Sequence, residues 1–181
     1  MDATGHLIAS LDAAVALANG FSGGYASGKP RPPGDTAVVE AALRLTTNRL
    51  PEIELDPFAD GGRALYGALR LIVDGQVDEA AEAINALLEE TRAVPRLLRR
   101  EDLPWHLHFV SPGVSAATGW LAEFATAVAM LLGSDDQQRL RGCEATRCDN
   151  LFLDATRNRT QRFCSTACQN RTKVAAYRAR A

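Results

Sequence analysis

The chain has no long apolar run, and none of its first 142 residues is a cysteine. A membrane-crossing helix needs roughly twenty predominantly apolar residues in succession, so no membrane partner is expected. Residues 1–20 hold Asp2, His6 and Asp12 but no basic cluster. That argues against a secretory leader and for a cytoplasmic location. There is no G-x-G-x-x-G motif, no Walker A loop and no Ser-His-Asp order, so an enzyme is the least expected class. Aromatic residues make up only 6% of the chain, which leaves few stacking platforms for single-stranded nucleic acid. What is present, 46% hydrophobic and 23% charged residues over 181 positions, suits a soluble globular protein of one ordinary domain, or of one domain with a small appendage. Collagen-like and wholly disordered chains are excluded.

Charge is spread unevenly. From Arg139 to Ala181 there are ten Lys or Arg and three acids, a balance of +7; residues 1–138 hold ten bases and nineteen acids, a balance of −9. The whole-chain value of −2 hides this. A basic tail fits a polyanionic partner. It fits equally a tail that neutralises the acidic part of its own chain or of a second copy.

Cys143, Cys148, Cys164 and Cys168 all fall in that tail, spaced C-x4-C-x15-C-x3-C. Two short pairs separated by a loop bring four thiolates around one tetrahedral ion. Thiolates are soft donors and select zinc over magnesium or calcium. Nearby Arg141, Arg147 and Arg162 favour the deprotonated sulfur. One structural Zn2+ is therefore the expected cofactor. Iron also accepts four thiolates, two disulfides would need an oxidising compartment, and a redox pair is usually spaced C-x-x-C. Catalytic zinc needs an open coordination position, which four sulfurs close. The tail offers few apolar residues: Leu151, Phe152, Leu153, Phe163, Val174 and Tyr177. So small a core needs a staple, and zinc removal is expected to unfold it while the first region persists.

Around the cysteines, Leu151 to Leu153 reads as a strand leaving a turn at Asp149-Asn150, with Phe152 on the small core. Asp154 is expected to accept from Arg162 or from a backbone amide. Ala155 to Arg162 reads as a polar loop carrying three arginines. Ser165 is placed to cap a helix whose first turn carries Cys168 back toward Cys164. Along that helix Arg171, Val174 and Arg178, and likewise Asn170, Lys173 and Tyr177, recur at spacings of three and four, giving a basic surface with an apolar seam. Arginine forks onto phosphate or a guanine edge, and a run of arginines mostly contacts phosphate. The candidate nucleic-acid contacts are Arg157, Arg159, Arg162, Asn170, Arg171, Lys173 and Arg178. The competing reading pairs the arginines with the acidic first region.

Thirteen residues at fixed offsets then carry a resemblance: Cys143, Cys148, Phe152, Asp154, Thr156, Arg162, Phe163, Cys164, Ser165, Cys168, Asn170, Arg171 and Lys173. The segment from Cys143 to Lys173 resembles the CGNR-type zinc finger. Two positions depart from it: Gln169 stands where that family has glycine, and Phe163 where it often has tryptophan. In that family the finger usually follows a helical domain called ABATE, and the pair is similar to a stress-induced transcription regulator. The resemblance implies zinc binding by the four cysteines and raises the expectation of DNA binding.

The first region reads as helical. Leu7, Leu11, Ala14, Val15 and Ala18 form a buried stripe ending at Gly20. Residues 20–34, with five glycines and three prolines, form an exposed, turn-rich loop. Asp35 caps a helix through Leu45; Asp60 to Val73 and Gln76 to Leu88 are two more, split by Asp74-Gly75. Leu103, Trp105, Leu107 and Phe109 alternate with Pro104, His106, His108 and Val110 as a strand with one apolar face, turning at Ser111-Pro112-Gly113 into a hairpin. His106 and His108 share the other face, but no third metal ligand is evident. Ser115 to Leu132 is the strongest helix.

The expected fold is mainly α (α+β): a multihelical region with a small β-hairpin at 1–138, then a small four-cysteine zinc finger of short strands and a C-terminal helix at 139–181. The expected function is a zinc-dependent, non-catalytic DNA-binding transcription regulator, with double-stranded DNA as partner. The helical part would sense a small-molecule effector or form a homodimer. The alternative is a zinc-stabilised protein-interaction module that binds no nucleic acid.

Overall fold

A computed structural model describes residues 3–99 and 105–180, with side chains from Leu7 onward. Among the described residues, five α-helices build the first region: α1 (Ala3–Phe21), α2 (Thr36–Leu43), α3 (Leu55–Val73), α4 (Val77–Glu90) and α5 (Ala116–Leu132). A sixth, α6 (Thr166–Arg178), ends the chain. Three two-stranded antiparallel ribbons lie between them: β1 (Tyr25–Ala26) with β2 (Lys29–Pro30), β3 (Arg96–Leu98) with β4 (His106–His108), and β5 (Leu140–Gly142) with β6 (Leu151–Leu153). No helix among the described residues is long and apolar enough to cross a membrane.

Helix α5 is the centre of the packing. Every residue from Leu121 to Val128 is buried, as expected of a helix that is apolar all round. Small residues let its neighbours come close. A Cβ on Gly61 of α3 would lie 2.3 Å from a methyl of Leu121, so α3 meets α5 there only because Gly61 has none. Helix α1 packs against α2, α3 and α5 through Leu11, Val15, Leu17 and Phe21. The expected cap at Asp35 holds, accepting from the amide of Val38, and Ser115 caps α5 by accepting from that of Thr118. Helix α3 starts a turn before the expected Asp60 because Pro57 sits in its first turn, where its missing N–H costs nothing.

The hairpin forms differently from expectation. The partner of β4 lies upstream, with Leu97 opposite Leu107, and the turn at Ser111–Gly113 leads into α5 instead. The expected apolar face is open: Trp105 is 64% exposed and Leu107 45%. Leu103 and Pro104 lie outside the described residues. The histidine side faces α5, where Glu123 is buried among apolar neighbours and needs donors. It receives the amide of Phe109 at 3.0 Å and lies 2.6 Å from Nδ1 of His108. Among the described residues the two histidines belong to no group that could hold a metal.

The tail does not keep its apolar residues to itself. Leu140 of β5 and Leu151 of β6 are buried in the helical core, with Leu153 packed beside them. Strand alternation explains this: Leu151 and Leu153 share one face, which meets α1, and Phe152 is buried on the other. The separate cluster around the cysteines is small, with Ala145 and Phe163 as its other members. Val174 and Tyr177 take no part and stand exposed on α6.

Candidate metal centre and the groove beside it

Each cysteine is delivered by a different piece of backbone. Cys143 follows β5, and Cys148 closes a tight turn in which Arg147 has φ +57. Cys164 precedes α6, and Cys168 lies in its first turn, whose N-cap Ser165 accepts from the Cys168 amide at 3.3 Å. The four sulfurs all lie within 4.8 Å of one another. Cys148 and Cys168 are 3.7 Å apart, and Cys164 is 3.8 Å from each of them. A tetrahedron with metal–sulfur bonds of about 2.3 Å has edges of about 3.8 Å. The donor set thus fits one zinc ion, and the four cysteines are unbridged. With all positions taken by sulfur, the centre is structural.

Hydrogen-bond donors surround these sulfurs. The Cys164 amide donates to Cys143 Sγ at 3.4 Å, and Asn150 Nδ2 to Cys164 Sγ at 3.5 Å. Cys168 Sγ lies 3.6 Å from the Ser27 hydroxyl and 3.9 Å from Arg171. Burial opposes charge on Cys168, but hydrogen bonds from Ser27, Ser165 and Arg171 overcome it and draw its thiol down to about 6. Burial and the neighbouring cysteines push Cys164 up to about 12. A divalent ion is what makes four thiolates stable together here.

Asp154 organises the loop after β6. It is 0% exposed and accepts from the amide and hydroxyl of Thr156 at 2.8 and 2.5 Å and from the Gln161 amide at 2.8 Å. Burial works against its charge, but these donors, with Arg141 at 3.9 Å, hold its carboxyl below the usual range. The expected backbone amide is there. The expected Arg162 is not: it pairs with Glu144 at 2.5 Å, where the partner is solvent-accessible and costs no burial.

The seven candidate nucleic-acid contacts divide. Arg159 pairs with Asp136 at 2.9 Å, and Arg171 donates to the Thr146 carbonyl at 2.5 Å. Arg157, Asn170, Lys173 and Arg178 are exposed. Arg162 and Lys173 line a groove of about 1300 Å³ between α6 and the 156–163 loop. Gln161, Phe163, Gln169, Tyr177 and Arg180 line it too, with several threonines and no acidic residue. Arg157, Arg159, Asn170, Arg171 and Arg178 do not. The sequence reading missed Gln169 and Arg180 as groove residues, although their spacing from Lys173 along α6 was the available signal.

It also missed residues of the helical region that hold the finger. The side chain of Asn19 donates to the Leu151 carbonyl and accepts from its amide, both at 2.8 Å, as a neighbouring strand would. The Tyr66 hydroxyl donates to the Asp149 carbonyl at 2.8 Å. The loop after α1 meets the turn at Cys148: Asp149 N donates to the Tyr25 carbonyl at 2.8 Å, Tyr25 N to Asp149 Oδ2 at 2.7 Å, and Gly28 N to the Arg147 carbonyl at 2.8 Å.

A tetrahedral four-thiolate centre closed by a short helix defines a zinc finger. Residues 139–181 match the CGNR zinc finger family, so the C-terminal region is a CGNR-type finger, joined here to a multihelical region that the match does not cover. No curated protein matches the chain.

Proposed function

We propose that this protein is a zinc-dependent, DNA-binding transcription regulator, with an ABATE-like helical region at 1–138 and the finger at 139–181. The finger contacts double-stranded DNA; the helical region senses a small-molecule effector or forms a homodimer, and the protein works in the cytoplasm. The observation that carries this reading is the groove beside α6. It is open, free of acids, and lined by Arg162, Lys173 and Arg180 together with hydroxyl and amide groups, the donors that meet phosphate and base edges. Helix α6 itself contains no acidic residue.

Fluorescence anisotropy of the zinc-loaded protein against a random duplex library and matched RNA, over a salt series and with a chelated control, tests the reading. Duplex binding should weaken steeply with salt and require zinc. Lys173→Ala and Arg180→Ala should each weaken it by roughly threefold to tenfold at low salt and reduce the log–log salt slope by about one, while Arg44→Ala changes nothing. Absence of duplex binding at low salt defeats it.

One observation favours a second reading, a zinc-stabilised protein-interaction module. Arg159, Arg162 and Arg171 are already engaged inside the chain, with Asp136, Glu144 and the Thr146 carbonyl. On that reading neither polymer binds.

A further inference from the structure

The loop between α1 and α2 belongs to the helical region, yet it reaches the sulfurs. We propose that residues 22–31 form an outer shell of the metal centre, with Ser27 as a positioning residue for Cys168, and that metal loading locks this loop onto the finger. The inference is independent of what the finger binds.

The loop is built for the approach. Strands β1 and β2 pair Ala26 with Lys29, leaving Ser27 and Gly28 as the two turn residues. Both have positive φ, +51 and +90, the pattern of a tight hairpin turn. Serine pays to sit there and glycine does not. The turn projects Ser27 to Cys168, 141 residues further along the chain. A side chain at Gly28 would be strained by its φ of +90 and would sit tightly, its Cβ 3.2 Å from the Arg171 guanidinium.

The loop grips both sides of Cys148. Gly28 N holds the Arg147 carbonyl, and the Tyr25 backbone makes two bonds to Asp149. The Arg147 guanidinium lies 4.4 Å over the Tyr25 ring. A second relay runs from Arg31, which donates to Asn150 Oδ1, to the Asn150 amide on Cys164 Sγ. Thus Cys168 is touched directly and Cys164 through one intermediary, while Cys148 is fixed through its neighbours.

The electrostatic reason is simple. Four thiolates around one divalent ion leave two net negative charges in a largely buried place. Donors to sulfur disperse that charge and fix the ligand's direction, and such partners commonly govern metal affinity by ~10-fold or more. The coupling runs both ways, because what the loop contributes to metal binding, the metal returns to loop docking.

Two measurements on the full chain test this. Competition with a chromogenic chelator gives zinc affinity for the wild type and for Ser27→Gly, which suits the positive φ but has no hydroxyl. Zinc should bind ~10-fold more weakly in the variant. Hydrogen exchange on the wild type, loaded and chelated, follows the amides of Gly28, Asp149 and Leu151. On chelation Gly28 and Asp149 should lose protection, while Leu151, held by Asn19, keeps it. A Ser27→Gly protein that holds zinc as tightly as the wild type overturns the proposal. So does a chelated protein in which Gly28 and Asp149 stay protected; the loop is then a packing contact that ignores the metal.

Discussion

The finger is attached to the helical region at two places that differ in kind. At its root, Leu140 and Leu151 enter the helical core, and Asn19 supplies the main-chain partners of Leu151. At its tip, the turn at Cys148 and the start of α6 rest on four sulfurs and a polar loop, with Ala145 and Phe163 as the other members of their cluster. The root is held by apolar burial, which is insensitive to metal and pH. The tip is held by thiolates and hydrogen bonds, which are sensitive to both. A domain that must stay in place while its end responds to metal is served by this division. It also argues against the simple picture in which the whole tail depends on zinc.

The largest effect should come from removing the metal. Structural zinc in small fingers has an apparent binding free energy of roughly 10–16 kcal/mol, and the tip has little else. Chelation, or Cys148→Ser, should abolish protection from proteolysis in the 155–162 loop and along α6. Helices α1 to α5 should resist, and helical circular dichroism should fall only by the contribution of α6. If β5 and β6 detach as readily as α6, the distinction between root and tip is false.

The reverse experiment attacks the root. Leu151 is 1% exposed, and truncating so buried a leucine costs about 2–5 kcal/mol. Leu151→Ala should lower the melting temperature of loaded and chelated protein alike, since the lost contacts lie in the helical core. Zinc affinity measured by chelator competition should change much less than in Ser27→Gly. An unchanged melting temperature in the chelated protein would mean that Leu151 serves the tip after all.

How much of this was legible follows from the kinds of contact involved. The sulfur positions and the caps at Asp35 and Ser165 were legible because each depends on residues a few positions apart. The helical stripes were legible for the same reason. The docking of residues 22–31 was not. Several of its contacts use the main chain of Tyr25 and Gly28, which no side-chain pattern records, and the partners of these and of Ser27 and Arg31 lie more than a hundred residues away. The loop therefore read as an exposed linker. Arg171 read as a surface cation because helical spacing says nothing about a carbonyl at Thr146. Leu151 and Leu153 read as a private core for the finger; period-two alternation gives the face they share, but not which neighbour covers it. Glu123 lay unnoticed in the apolar run of α5 until His108 and the Phe109 amide were seen to meet it.

Asn19 gives the smallest and sharpest test. Its amide makes two hydrogen bonds to one buried residue of β6, from the end of a helix in another part of the chain. Asn19→Ala leaves the Leu151 N–H and carbonyl without partners, and unsatisfied buried groups cost about 1–3 kcal/mol. The expected result is a melting temperature lowered by several degrees with zinc affinity nearly unchanged. Asn19→Asp sharpens the reading. A carboxylate accepts from the Leu151 amide but cannot donate to its carbonyl, and it places negative charge against that oxygen, so it should be no better than alanine. If aspartate restored stability, the amide bond alone would hold the strand, and the two-bond description of the root would be wrong. If both variants melted like the wild type, burial of Leu140 and Leu151 would suffice, and the strand-like pairing of Asn19 would be a consequence of docking rather than a cause.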